Sequence, residues 1–236
     1  MVKKLASFIL FGSLIYANEY FAKLEPIQTY NIKSSVSGKI IFVDSDLESQ
    51  LIKNKTIIKI DSKLNQDELN FTKEKLTIMQ NIVTLEKHNL DKMNKIRSKS
   101  QLEKDNQKIK ILNLEASITD LQSKIKTLQD QIYKKNISIS NLYIYDIAVK
   151  KDDYVNPGSL LLIAMDISKA KLEFFVSIND IDKIKQKRIY LNGKETNYKL
   201  SKVYQVSDKK HISSYKCEIV IDKPKQLSKL FKIEFK

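Results

Sequence analysis

Residues 111–132 read ILNLEASITDLQSKIKTLQDQI. Apolar side chains fall at Ile111, Leu114, Ile118, Leu121, Ile125, Leu128 and Ile132, with spacings of three and four alternating without a fault. A 3.5-residue repeat keeps one narrow stripe facing a partner, so this pattern predicts a helix with a coiled-coil seam. The partner lies upstream. Leu69, Leu76, Val83 and Leu90 recur every seven residues, with Met79 and Met93 at intervening positions and Glu86 as an exception. Phe71, Ile78, Ile82 and Leu85 form a second stripe, read as a widening of the apolar face near the base.

Between the two patterns, Arg97-Ser98-Lys99-Ser100 breaks the repeat, and Ser100-Gln101-Leu102-Glu103 fits a capping box that starts the second helix at Ser100. A break this short brings the helices side by side and antiparallel. Neither Pro nor Gly occurs between Leu64 and Ile137, so nothing ends the helices early. At 1.5 Å per residue a helix of about 33 residues is roughly 50 Å long. Such a hairpin is expected to protrude from a body built of the remaining residues.

The flanks read as strands. Val36, Gly38, Ile40 and Phe42 alternate before the hairpin, and Ile58-Lys59-Ile60-Asp61 closes a second strand. After it, Tyr143, Tyr145, Ile147 and Val149 alternate, Val155-Asn156-Pro157-Gly158 makes a turn, and Leu160 to Ile163 is an apolar strand. From Leu172 the rhythm changes. Leu172, Phe174, Val176 and Ile178 alternate, Asn179 is placed to cap a short helix carrying Ile181 and Ile184, and Asn192-Gly193 marks a tight hairpin. Val203 to Val206, Tyr215 to Ile221 and Phe231-Ile233-Phe235 supply further strands of a small barrel or sandwich. The reading is an α+β chain: 18–63 and 137–170 are halves of one sheet domain, 64–136 is the inserted hairpin, and 171–236 is a β-barrel.

Composition narrows the function classes. The net charge is +14, and residues 171–236 hold 16 Lys and Arg against 8 Asp and Glu, which places a basic face there. The same excess also fits lysines spread as a solvated coat over every surface. A lone cysteine, Cys217, excludes an internal disulfide and sits in the alternating run Tyr215, Cys217, Ile219, Ile221, as a buried strand cysteine does. Residues 1–17 have a signal-peptide layout: Met1-Val2-Lys3-Lys4 is basic, Leu5 to Tyr16 is apolar, and Ala17 precedes a cleavage point. The apolar run is short for a membrane span, so cleavage is favoured over a retained anchor. Export argues against nucleic acid as a partner. No catalytic constellation, zinc spacing or phosphate loop is present. His88 and His211 read as separate exposed polar residues, and Met79 and Met93 as seam packing rather than copper ligands. The expectation is a non-enzymatic exported protein without a cofactor.

In their order, these segments resemble the HlyD-like membrane fusion proteins, the periplasmic adaptor subunits of tripartite efflux and secretion systems. Val36-Ser37-Gly38-Lys39-Ile40 matches one lipoyl-like half-motif, Val155-Asn156-Pro157-Gly158-Ser159-Leu160-Leu161 the other, and Asp166-Ile167-Ser168 leads through Leu172-Glu173-Phe174 into the barrel. Leu142-Tyr143-Ile144-Tyr145-Asp146 stands where the family has Ala-Pro and Gly, so the turn before that strand differs. The resemblance implies a lipoyl-like (barrel-sandwich hybrid) domain split by the hairpin, with a β-barrel after it and almost nothing left for a membrane-proximal domain. It implies a periplasmic adaptor held at the inner membrane by its transporter and joined to a TolC-like outer-membrane channel; the small size and the cleavable signal segment point to a transporter of RND type. Ring assembly as a trimer or hexamer is implied as well. At the hairpin tip Ser98 takes the place of the family's channel-contacting Ser; counting back, Lys87 takes that of its Arg, and Leu90 lies one residue from that of its Leu, which Asp91 occupies. Arg97, Ser100 and Leu102 complete the expected channel-binding tip. A periplasmic chaperone that grips clients with a coiled-coil arm would carry the same hairpin.

Overall fold

A computed structural model describes residues 18–236; the signal segment expected over 1–17 lies outside them. In chain order the elements are β1 (Asn18–Lys33), β2 (Gly38–Val43), β3 (Leu51–Ile52), β4 (Lys55–Ile60), α1 (Lys63–Lys95), α2 (Gln101–Lys134), β5 (Asn136–Ile139) and β6 (Leu142–Ile147). These are followed by β7 (Tyr154–Val155), β8 (Leu160–Ser177), α3 (Ile181–Ile184), β9 (Ile189–Leu191), β10 (Lys194–Glu195), β11 (Lys202–Val203), β12 (Ser214–Asp222) and β13 (Leu230–Phe235). The chain divides into two compact units, one of residues 30–164 and one of residues up to 29 together with 165–236. The 18–29 segment, expected with the first sheet, thus belongs with the C-terminal unit. No described helix is long and apolar enough to cross a membrane.

The 30–164 unit holds a four-stranded sheet in the order β5-β4-β2-β7, while β3 pairs with β6 and β6 with β8. Strands from both sides of the helices therefore meet: Lys59 faces Asn136, Thr56 faces Ser138, and Gly38 faces Val155. Ile40, Ile57, Ile58, Ile144, Leu161 and Leu162 are fully buried in its core. Gly38 is required by close approach, since a Cβ there would stand 2.5 Å from Cγ2 of Ile60. The Asn156–Ser159 turn closes on a Ser159 N–H to Asn156 carbonyl bond of 2.9 Å, with Gly158 at φ +93°, a conformation glycine adopts without steric cost.

Two alternations depart from the sequence reading. Phe42 is exposed because the β2–β4 register shifts between Ile40 and Phe42, and a bulge reverses the side on which later residues point. In β6 the buried position is Ile144, while Tyr145 is exposed. The aliphatic phase occupies the core and the tyrosine keeps its hydroxyl in water.

In the other unit the strand order is β10-β9-β13-β1-β8-β12-β11. β8 is one strand of 18 residues, where two shorter ones were expected on either side of Asp166–Ser168. Tyr20, Phe174 and Phe235 cluster with ring centroids 5.4 to 6.0 Å apart. Cys217 is fully buried, and burial pushes its thiol up to about 11, as the alternating run implies. Asn192 and Gly193, both with positive φ, join β9 to β10. Asp180, rather than Asn179, precedes α3 and makes no side-chain capping bond. The strand expected over Val203–Val206 is shorter, ending at Val203. Glu218, 3% exposed, is matched by the Tyr204 hydroxyl at 2.7 Å and by the Lys202 and Lys216 ammonium groups at 3.5 and 3.6 Å. A buried carboxylate needs such partners.

Candidate partner-binding surface of the helical hairpin

The 33-residue α1 and the 34-residue α2 run antiparallel. Their cross-links step in opposite directions along the two helices: Asn65 with Gln131 at 2.9 Å, Glu68 with Lys124 at 2.6 Å, and Lys87 with Glu115 at 2.7 Å. Val83, Ile111 and Leu128 are buried, and Leu76, Leu90, Leu114, Ile118, Leu121, Ile125 and Ile132 are half-buried. Thr72 joins them, 6% exposed, its hydroxyl donating to the Glu68 carbonyl at 2.7 Å. At the base, the Lys135 ammonium donates to the Asp61 carbonyl and to Asn65 Oδ1, each at 2.6 Å.

Glu86, the exception in the heptad, forms a polar layer nearer the tip. Its carboxylate accepts from Gln107 Nε2 and Lys110 Nζ, each at 2.7 Å. The Lys110 ammonium, then Gln107, hold this carboxyl below its ordinary value. The second stripe is left largely uncovered: Phe71, Ile78 and Leu85 are 60 to 70% exposed, because α2 covers only the seam, about 130° around the helix at 100° per residue. With Leu64, 83% exposed, these residues recur every seven positions on an uncovered face.

At the tip, Ser100 accepts from the Glu103 N–H at 3.2 Å and the Glu103 carboxylate accepts from the Ser100 N–H at 2.9 Å, completing the capping box. Lys99 adds an ion pair to Glu103 at 2.7 Å. These bonds, the Lys99 ammonium first and then Ser100, lower the Glu103 carboxyl to about 2. Because that value lies below the ordinary 4.5, the contribution is complete above pH 4.5 and disappears as pH falls toward 2. The Ser100 amide resonance is expected to titrate with a midpoint near 2; a midpoint near 4.5 would mean the box is not formed.

The six expected tip residues separate. Arg97, Ser98 and Leu102 are exposed, Leu102 by 71%. Ser100 is committed to the cap, Lys87 to Glu115, and Leu90 lies in the seam. Ile96, 45% exposed at the other end of the turn, is an apolar tip residue that sequence reading passed over. Its signal was an apolar residue just beyond the last seam position, Met93.

No family model matches the chain, and no curated protein does. Solved structures do match. A chimera of MacA carrying the α-hairpin domain of Pseudomonas aeruginosa MexA superposes with a TM-score of 0.73 at 16% identity, over 93% of this chain and 81% of that one. A membrane fusion protein of Streptococcus pneumoniae R6 gives 0.71 at 10% identity, over 92% and 99%. MacA from Actinobacillus actinomycetemcomitans gives 0.64 at 18% identity, over 93% and 78%. The chain has the membrane-fusion-protein fold. At such identities the likeness is one of fold, and the fold accounts for a pair of long helices entering and leaving one sheet. The turn that joins the helices, residues 96–100, is exposed throughout.

Proposed function

We propose that this protein is a periplasmic adaptor that links an inner-membrane transporter, of RND type, to a TolC-like outer-membrane channel in efflux or secretion. The observation that carries the reading is a paired helical rod, about 50 Å long by its helical rise, ending in a tip where Ile96, Arg97, Ser98 and Leu102 are exposed. Heptad packing along the rod suits a stiff coiled-coil spacer holding two partners apart. In this reading 30–63 with 137–164 form the lipoyl-like domain, 18–29 with 165–236 form the barrel, and residues 1–17 direct export. The uncovered stripe of Leu64, Phe71, Ile78 and Leu85 is where neighbouring copies pack in a ring, a trimer or a hexamer, since an apolar heptad face is what a further helix packs against.

A photocrosslinker at Ser98 in living cells tests the reading. Recovery of a single outer-membrane channel is expected, and a broad mixture of unfolded clients would point instead to a coiled-coil chaperone. Arg97→Glu with Leu102→Asp is expected to abolish export while leaving helix content unchanged. Export at the parental level would remove the tip from the mechanism.

A further inference from the structure

The ten residues 204–213 joining β11 to β12 carry two of the most exposed aliphatic side chains among the described residues, Val206 at 83% and Ile212 at 75%. Ile178 lies next to the Ile212 end of the loop, its N–H donating to the Ser213 carbonyl at 3.1 Å, and is itself 38% exposed. Lys209 and Lys210 stand exposed between the two aliphatic residues. The loop's one carboxylate is half-exposed and tied into the loop's own backbone. Asp208 Oδ1 accepts from the backbone N–H groups of Lys210 and His211, at 2.8 and 2.6 Å, and lies 3.0 Å from the His211 ring. That ring stacks on Phe175 of β8 at 3.5 Å between centroids. The loop is therefore braced by its own bonds and by the His211–Phe175 stack, and beside the half-exposed Asp208 it offers outward two aliphatic side chains and two lysines.

The geometry points to this loop as an interfacial anchor that seats directly on an anionic lipid surface. Val206 and Ile212 enter the headgroup boundary while Lys209 and Lys210 meet lipid phosphates. The charge pattern selects that partner. Exposed aliphatic residues beside two lysines that have no ion-pair partner among the described residues, and that outnumber the loop's single carboxylate, match a negatively charged, apolar-cored leaflet. A protein partner would need a concave acidic surface; a bilayer needs only a convex tip. The inference goes beyond the adaptor reading, because it gives the C-terminal unit a membrane contact that does not pass through a transporter.

The test places a polarity-sensitive fluorophore on the loop of the full chain through Ser213→Cys. Cys217, fully buried, does not compete for the label. Vesicles of phosphatidylglycerol mixed with phosphatidylcholine are expected to shift the emission to the blue, and vesicles of phosphatidylcholine alone are not. With about 1 kcal/mol per lysine near such a surface, Lys209→Gln with Lys210→Gln is expected to weaken binding about thirtyfold. Val206→Ser with Ile212→Ser is expected to keep salt-sensitive binding but lose the blue shift. No shift with either vesicle overturns the inference and leaves the patch to a protein partner. An equal shift with both vesicles also overturns it. The readout is local to the loop, so it stands whether or not the hairpin tip binds a channel.

Discussion

Ile111→Asp combined with Leu128→Asp is expected to separate the two long helices while leaving both sheet cores folded. The two positions are 6% and 4% exposed and lie well apart along α2, so no single local repair restores the seam. Each substitution removes about 1.5 to 3 kcal/mol of apolar burial and sets a carboxylate against leucine and isoleucine at a further cost of several kcal/mol. The surface ion pairs that also join the helices cannot compensate, each contributing about 0 to 1 kcal/mol. Circular dichroism is expected to lose much of its helical signal, and protease is expected to cut first within 64–136. A helical signal and a digestion pattern like those of the parent would show that the seam does not hold the pair together.

Phe235→Ala is expected to unfold the C-terminal unit at a temperature at which the other unit persists. Phe235 is fully buried and touches both Tyr20 and Phe174, so its ring joins β13, β1 and β8. Truncating a buried Phe costs about 3 to 5 kcal/mol, a large share of the roughly 5 to 15 kcal/mol that stabilises a domain. For a unit of this size the midpoint falls by on the order of 15 °C or more. The melting curve is expected to divide into two steps, the first accompanied by loss of tyrosine near-ultraviolet dichroism. One step at the parental temperature would place Phe235 outside the cooperative core.

The helices were the most legible part of the sequence because their signal is repeated many times. Seven apolar residues from Ile111 to Ile132 leave a single period, and the capping box at Ser100 marks a boundary in four residues. The second stripe shows what periodicity cannot supply. Phe71, Ile78 and Leu85 are apolar at helical spacing, yet whether such a face is covered depends on a partner that the single chain does not contain. Strand β1 escaped notice for a different reason. Its period-two residues Tyr20, Ala22 and Leu24 are diluted by a small alanine and by Glu19, Lys23 and Glu25, and Pro26 argues against a strand interior. The structure admits it because long-range pairing with β13, from Asn18↔Phe235 to Lys23↔Leu230, replaces local preference. In β2 and β6, alternation gave the strand but a bulge and a choice between two apolar phases set the facing. At the tip, sequence alone could not tell that Lys87 is spent on Glu115 while Ile96 stands free.

Glu86 has a consequence for how far the arm reaches. Leucine and isoleucine tolerate any sliding of one helix past the other by whole heptads, since one aliphatic contact is much like the next. A carboxylate does not, because a slip of that size would carry it away from Gln107 and Lys110 and strand it among hydrocarbon. One acidic side chain thus acts as a detent, fixing which residues crown the bend and holding the span of the arm constant from molecule to molecule.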